Sequence, residues 1–356
     1  MPTAGAMRNQ SFCLRSSSAS LRRPTASGAR MRLQRRQFLR LAASASALPI
    51  FPRIARPQAY PTRPVRIVVG APPAGATDIS ARLIAPWLSE RLGRQFVVEN
   101  RPGASSNIGT EAVVRAAPDG YTLLLCTCVN SINASMFQKL NFDFVRDTAA
   151  VARLAYTPLI VVVNPSLPVN SIPELIAYAK ANARKLNLAS AGFGTPIHVA
   201  GELFKLRTGT DMVQIQYQGG APAIADLVGG QVQIMFDVLS ECTEQVKAGK
   251  LRALAVTSTK RSEVFPELPV LADFLPGFEA TFWSGICAPK NTPAGAIAAL
   301  NAQINAALLD SGIQSRFAEL GLTMFEPMAP AQVAQFIEAE TQKWGQVVRA
   351  AGLSAS

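Results

Sequence analysis

Histidine is nearly absent from this chain of 356 residues, in which His198 is the only one. A serine or cysteine nucleophile that depends on a histidine base would have to use His198. The chain contains no G-x-S-x-G turn that would present such a nucleophile. Because His198 falls in the first turns of a predicted helix, we interpret it as a structural residue and expect the protein not to be an enzyme.

Sequence patterns of metal, redox and nucleotide sites are also missing. Cys126 and Cys128 are separated by one residue, not by the two of a C-x-x-C site. They alternate with Thr127 in an apolar run, which predicts a strand from Tyr121 to Val129 with both thiols on one face. The glycines at 103–109 and 192–194 do not form G-x-G-x-x-G, and there is no Walker A loop. We therefore expect no cofactor and no metal.

Acidic residues are absent from residues 1–57, which contain eleven arginines. The formal net charge is +12, but removing this segment leaves 24 basic residues against 23 acidic ones. A nucleic-acid-binding protein needs a basic face on its folded domain, to neutralise phosphates and release counterions. The basic excess lies outside the predicted folded part, so we expect no nucleic acid partner.

The arginine-rich segment has the order of parts found in a bacterial export signal. Arg35 and Arg36, followed by Phe38 and Leu39, resemble a twin-arginine motif. An apolar run from Leu41 to Phe51 follows, and small residues come after it at 55 and 59. This run is too short to cross a bilayer, which takes about 20 residues. We predict an N-terminal extension and export signal over residues 1–59 and a periplasmic protein; the twin-arginine and Sec routes both stay open.

After the signal, strand-like and helix-like segments alternate, which predicts βαβ units and a mainly parallel sheet. From Pro293 onward the pattern is purely helical. With 49% hydrophobic residues, the chain can bury two cores. We predict an α/β fold with a ligand cleft between two βα sheet domains and a helical C-terminal tail. Domain 1 is predicted to combine residues 60–160 with residues 286–356, and domain 2 to cover residues 161–285.

Two predicted strand-to-helix turns are rich in small residues: the first loop, residues 71–78, and the second loop, residues 190–196. At the start of a helix, free N–H groups and the positive end of the dipole converge. Small side chains let an anion approach the main chain there, so the two loops together could hold one carboxylate. Ordinary βα loops have the same composition, and the spacing alone does not separate the two interpretations.

Several phrases along the chain resemble the Bug family, the extracytoplasmic solute receptors of tripartite tricarboxylate transporters. The resemblance spans roughly residues 60–353. It is carried by Pro64–Val69, Pro73–Asp78, Glu99–Ala104, Pro118–Leu124, Gly192–His198, Tyr217–Gly220, Leu251–Ser258 with Arg261, and Ala288–Pro293. Their number and order make the match specific. Where the family usually has two consecutive glycines, this chain has Ala74 before Gly75.

The resemblance implies a two-domain periplasmic-binding-protein fold and a receptor that delivers a small organic carboxylate to a large and a small membrane subunit. It also implies ligand contacts from both loops and from the strand ends beside them. We expect the protein to be a monomer. An exported sensor that feeds a signalling kinase and an exported α/β enzyme are the alternatives. The predicted ligand-binding residues are Pro73, Ala74, Gly75, Thr77, Asp78, Asn130, Ser131, Ser190, Gly192, Thr195 and Asp237.

Overall fold

The computed structural model describes residues 60–73 and 76–355, so the predicted export signal lies outside the described residues. The first part of the described chain alternates strands and helices as predicted. Its elements are β1 (Val65–Val69), α1 (Ala76–Leu92), β2 (Phe96–Asn100), α2 (Asn107–Val114), β3 (Thr122–Thr127), α3 (Cys128–Met136), α4 (Phe144–Asp147) and β4 (Thr148–Val163).

The alternation continues after β4, until a run of helices ends the chain. The elements are α5 (Ile172–Ala181), β5 (Asn187–Ser190), α6 (Pro196–Thr208), β6 (Val213–Gln216), α7 (Gly220–Val228), β7 (Ile234–Val238), α8 (Leu239–Lys247), β8 (Arg252–Val256), β9 (Thr281–Pro289), α9 (Ala294–Leu308), α10 (Ser311–Glu319), β10 (Thr323–Met324) and α11 (Pro330–Ala350). The helical tail predicted from Pro293 is thus confirmed, with one short strand inside it.

The strands follow the order β2-β1-β3-β9-β4-β7-β5-β6, and β8 and β10 also pair with β4. Parallel pairing is found toward the two ends, where β1 pairs with β2 and β3, and β5 pairs with β6 and β7. The middle is antiparallel: β9 pairs in this way with β3 and β4, and β4 pairs in this way with β7. The prediction of a mainly parallel sheet therefore holds for each group but not for the strands that join them.

β4 belongs to both groups. Its residues 148–158 pair with β9, and its residues 159–163 pair with β7 and β8. The buried side chains divide in the same way. Two hydrophobic clusters cover the faces of the first sheet section, and a third surrounds the second section. The two βα sheet sections predicted from the sequence are confirmed.

The C-terminal helix α11 packs against both sections. Val333 and Ile337, near its start, lie in a cluster with residues of β3 and β9. Trp344, Val347 and Val348, near its end, lie in the cluster around the second section. The helix therefore connects the two cores, whereas the predicted division assigns all of it to domain 1; that division stays a prediction.

The segment around Cys128 differs from the predicted strand. β3 ends at Thr127 and α3 begins at Cys128, so the two cysteines lie on different elements. Thr127 caps the helix: its side chain accepts a hydrogen bond from the Val129 N–H, and its own N–H donates to Asn130 Oδ1 at 2.8 Å. This capping box ends the strand within an apolar run whose composition suits a strand as well as a helix.

Among the described helices, none combines the length and apolarity needed to cross a bilayer.

Candidate functional site

The first loop connects β1 to α1; its residues Ala74 and Gly75 lie outside the described part of the chain. Pro73 is exposed and Thr77 is half-buried. Asp78 is buried, and its carboxylate accepts hydrogen bonds from Arg82 Nε at 2.8 Å and Asn100 Nδ2 at 2.9 Å. The Asp78 side chain therefore holds the first turn of α1 against the end of β2. A ligand contact from this residue would have to come from its backbone.

A third turn, before α2, lies beside the first loop. Three consecutive residues of this turn, Ala104, Ser105 and Ser106, have φ values of 44°, 51° and 72°. Left-handed backbone at residues other than glycine costs energy and is common at ligand sites. A methyl group at Gly70 would lie 2.6 Å from Ser106 Cβ. Only glycine at position 70 therefore lets the start of α2 pack against the end of β1.

Two predicted contacts, Asn130 and Ser131, lie near the start of α3 and are buried. Both polar atoms of the Asn130 amide have a partner, since its oxygen accepts from the Thr127 N–H and its nitrogen donates to Thr110 Oγ1 at 2.7 Å. Ser131 Oγ is buried and has no hydrogen-bond partner among the described residues. Asn130 therefore fixes α3 to α2, and Ser131 Oγ is the polar atom of the two residues that lacks a partner.

Two further asparagines, which the sequence reasoning did not include, lie in the same region. Asn133 Nδ2 donates to Ser105 O at 2.5 Å and to Asn107 Oδ1 at 3.0 Å. Asn133 Oδ1 and Asn107 Nδ2 are buried and lack a partner in the described chain. Ser105 and Ser106 directly precede α2, which begins at Asn107, so the pattern that identified the first and second loops could also have identified this turn.

The second loop is braced by its own side chains. Thr195 Oγ1 donates to Gly192 O at 2.8 Å and accepts from the His198 N–H at 3.2 Å, which caps α6. Ser190 Oγ also donates to Gly192 O, at 3.3 Å. Gly192 and Gly194 have φ values of 130° and 76°, a backbone conformation that favours glycine. The loop is thus held in one shape at the N-terminus of α6.

His198 is buried and forms a hydrogen bond with the backbone of the second loop. It is 2% exposed, and its Nδ1 accepts a hydrogen bond from the Gly194 N–H at 3.1 Å. The ring also packs against Phe193, with 4.9 Å between the ring centroids. The interpretation of His198 as a structural residue agrees with these contacts, because its Nδ1 is already engaged with the backbone.

The second loop follows a strand of the second sheet section, and it faces α3, which follows a strand of the first section. A methyl group at Gly194 would lie 3.7 Å from Met136 Cγ and 4.0 Å from Asn133 Oδ1. Asn133 in turn contacts the turn before α2, which packs on the end of β1. The structure therefore brings the second loop, α3, the start of α2 and the beginning of the first loop together at the carboxyl ends of their strands, where open α/β sheets bind ligands.

Asp237, the last predicted contact, lies at the end of β7, which is parallel to β5. Its side chain is fully buried, and neither carboxyl oxygen has a hydrogen-bond partner among the described residues. Burial, and then the nearby Glu241 carboxylate, raise the pKa of Asp237 to about 8. Asp237 is therefore a buried acid beside the second loop, with the Val238 N–H and the Cys242 thiol as its nearby donors.

The burial of His198 leads to a pH-dependent stability. Burial, and then Lys205, lower the pKa of His198 to about 4 in the folded protein. The unfolded chain, with a histidine pKa of about 6.5, then binds the proton first. We expect the free energy of unfolding to fall by up to about 3 kcal/mol from this residue as the pH drops from about 6.5 to about 4. Urea unfolding across that range measures the loss.

The matched control is His198→Asn, whose side-chain oxygen can still accept from the Gly194 N–H but does not titrate. This variant should lack the His198 part of the loss while sharing the contribution of the carboxylates. Identical pH profiles for the wild-type protein and the variant would contradict a buried, neutral His198.

The two sheet sections, with loops meeting at their carboxyl edges, define the class of two-domain binding proteins. The sequence profile described as "Tripartite tricarboxylate transporter family receptor" matches residues 80–353, and the chain belongs to this family of solute-binding receptors. The chain is 38% identical over 296 residues to the protein BugT of Bordetella pertussis, which covers 82% of this chain and 90% of BugT. It is 36% identical over 298 residues to a protein from the tcbD-tcbE intergenic region of Pseudomonas sp., covering 83% and 88%.

Solved structures support the same assignment. Rpa4515 of R. palustris with adipate has a TM-score of 0.72 at 34% identity, covering 83% of this chain and 99% of that one. MatC from Rhodopseudomonas palustris with bound malate has a TM-score of 0.69 at 32% identity, covering 81% and 100%. The periplasmic binding protein BugD has a TM-score of 0.69 at 34% identity, covering 83% and 100%. The predicted periplasmic-binding-protein-like fold and the resemblance to the Bug family are confirmed.

Proposed function

We propose that this receptor captures a small organic carboxylate between its two sheet sections and delivers it to the large and small membrane subunits of a tripartite transporter. The observation that carries the proposal is the braced second loop at the N-terminus of α6, which faces α3 and the start of α2. Backbone N–H groups and the helix dipole favour an anion at such a position. The adipate and malate in the related structures support a carboxylate as the ligand class.

The ligand contacts follow from the geometry of these loops. Ser190, Gly192 and Thr195 would hold one carboxylate from the side of α6, and Pro73, Ala74, Gly75, Thr77 and the backbone of Asp78 from the side of α1. Ser131, Asn107 and Asn133 offer a hydroxyl oxygen, an amide donor and an amide acceptor to the rest of the ligand. Asn130 supports this arrangement through α2. The site is thus polar and rests mainly on backbone groups and neutral side chains.

The protein would work outside the cytoplasm as a monomer, after removal of the export signal at residues 1–59. The membership of a family of receptors supports this location, and BugD is a periplasmic binding protein. A binding role without catalysis agrees with the buried His198, whose Nδ1 is occupied by the second loop. Closure of the two sheet sections about β4 and β9 would exclude water from the ligand, as in other hinged binding proteins.

A thermal-shift screen of the purified protein against small carboxylates tests the ligand class. A ligand that binds only the folded state adds about 2.7 kcal/mol at a hundredfold excess over its dissociation constant. We expect some acids to raise the melting temperature, and their neutral amides of the same shape to leave it unchanged. Equal shifts for acids and amides, or no shift with any acid after removal of co-purified ligand, would contradict a carboxylate receptor.

A further inference from the structure

The carboxyl group of Asp237 is buried with few compensating contacts in the described structure. Its side chain is 0% exposed, and no described residue donates to either oxygen with full hydrogen-bond geometry; the Val238 N–H and the Cys242 thiol are the nearby donors that favour its ionised form. A buried polar group normally has a partner, because leaving it unpaired costs about 1–3 kcal/mol. The group that donates to Asp237 is therefore to be sought in what the protein binds.

A second carboxyl group lies beside Asp237. Glu241 follows it by four residues and lies in the first turn of α8, at the exposed rim. Both side chains point to the start of α7: a methyl group at Gly220 would collide with Glu241 Oε2 and would lie 3.8 Å from Asp237 Oδ1. The two acids thus form a pair, one buried and one at the rim, beside Gly220, where any side chain would collide with Glu241.

The pair lies directly behind the second loop. The Gly219 N–H donates to Ala191 O at 3.1 Å, and the Tyr217 N–H donates to Ser190 O at 2.9 Å. These bonds join the segment before α7 to the proposed carboxylate anchor. Because β5, β6 and β7 are parallel, their carboxyl ends share one edge of the sheet, so Asp237 lies at the same edge as the second loop.

Neither acid of this pair forms an ion pair with lysine or arginine within the described chain. The titratable groups that act on Asp237 are Glu241 and Cys242, both on α8. A carboxylate ligand alone would add a further negative charge near the pair. A positively charged group beside the two acids would instead donate to their oxygens and favour the ionised form of both, including that of Asp237, which burial otherwise disfavours.

We propose that Asp237 and Glu241 form a subsite for the ammonium group of an amino-carboxylate ligand, whose carboxylate is held by the second loop. The proposal rests on the proposed function, since the same ligand must reach both places. It narrows the ligand class from carboxylates in general to those that also carry an amine. Asp237 supplies the desolvated contact, and Glu241 supplies the contact at the rim.

The test compares acids that differ only in the amine. Titration calorimetry of the purified protein uses the pairs glutamate and glutarate, and aspartate and succinate. In the wild-type protein we expect the amino member of at least one pair to bind about tenfold tighter or more. Asp237→Asn and Glu241→Gln should each remove most of this preference. Glu244→Gln is the matched control, because it removes an exposed charge one turn along α8 and should keep the preference.

Proton release provides an independent readout. Asp237, with its pKa raised to about 8, holds a proton near neutral pH in the empty protein. An ammonium group displaces that proton, so the heat of binding of the amino acid should depend on the ionisation enthalpy of the buffer. PIPES and imidazole, whose ionisation enthalpies differ and which contain neither a primary ammonium nor a phosphate group, are the two buffers to compare. Asp237→Asn should abolish the dependence.

Three results would overturn the inference. The first is equal affinity of the two members in both pairs, glutamate with glutarate and aspartate with succinate. The second is an unchanged preference in Asp237→Asn, provided that this variant melts no lower than the wild-type protein; if it does not fold, the rim variant Glu241→Gln decides. In both cases the ammonium subsite is contradicted, and the proposed function as a carboxylate receptor is unaffected. The third is the absence of binding by any acid, with or without an amine, in the wider carboxylate screen, and that result also removes the proposed function.

Discussion

The variant Thr195→Glu is expected to lose carboxylate binding by about a thousandfold. The side chain of Thr195 lies at the N-cap of α6, where its Oγ1 contacts Gly192 O and the His198 N–H. A glutamate there places a fixed negative charge beside the position proposed for the ligand. Two unit charges about 4 Å apart repel by about 4 kcal/mol at an effective dielectric constant of about 20, which corresponds to this loss.

The variant Thr195→Gln separates the charge from the loss of the cap. Glutamine has the same shape as glutamate and removes the same threonine hydroxyl, so both variants lose the contacts with Gly192 and His198. The negative charge at a helix N-terminus is itself favourable, and we expect Thr195→Glu to be at least as stable as Thr195→Gln. Calorimetry with the best acid of the screen gives the affinities. Similar affinities of the two variants would place the ligand carboxylate away from α6.

The second large effect is expected for Glu340→Ala, which should lower the free energy of unfolding by about 4 kcal/mol. Glu340 is 8% exposed, and its Oε2 accepts hydrogen bonds from Trp283 Nε1 at 2.9 Å and Trp344 Nε1 at 3.0 Å. Both indoles are fully buried. Alanine leaves two buried donors unpaired, and each unpaired donor costs about 1–3 kcal/mol.

The position of Glu340 makes this network important for the whole fold. Trp283 belongs to the cluster of β3 and β9, and Trp344 to the cluster around the second sheet section. One carboxylate on α11 therefore joins the two cores. Glu340 also pairs with Lys343, which is partly exposed and contributes little by comparison.

The matched control is Glu340→Gln, whose side-chain oxygen can accept from both indoles. We expect this variant to lose about 1 kcal/mol, because the neutral acceptor is weaker and the pair with Lys343 is lost. Equilibrium urea unfolding, followed by tryptophan fluorescence, measures both changes. A Glu340→Ala variant as stable as Glu340→Gln would show that the indole hydrogen bonds add little to stability.

Much of the candidate site could be predicted because it depends on local sequence. Small residues before a helix, as in the second loop, are visible as a pattern, and the structure shows that Thr195 in this loop caps α6. The roles of individual side chains could not be predicted as well from the sequence. Asp78 and Asn130 look alike in the sequence as polar residues beside a predicted cleft. In the structure, the Asp78 carboxylate is hydrogen-bonded to Arg82 and Asn100. The Asn130 amide is hydrogen-bonded to Thr110 and Thr127.

Other residues were missed because their partners are distant in sequence. Asn133 contacts Asn107 and faces Gly194, and no local pattern connects these three positions. The start of α3 was also missed. The apolar run from Tyr121 suits a strand and a buried helix equally, and the capping box of Thr127 and Asn130 decides where one ends and the other begins.

The amino-acid sequence by itself determined the alternation of strands and helices, the helical tail, the glycine-rich loops and the family of the protein. These features depend on short-range periodicity, turn chemistry and the order of recognisable phrases. Tertiary structure alone decided that β4 and β9 join the two sections in antiparallel pairing, that α11 connects both cores, and that Asp237 and Glu241 meet at Gly220. Each of these depends on which segments pack together, and packing is a property of the whole folded chain that no local pattern contains.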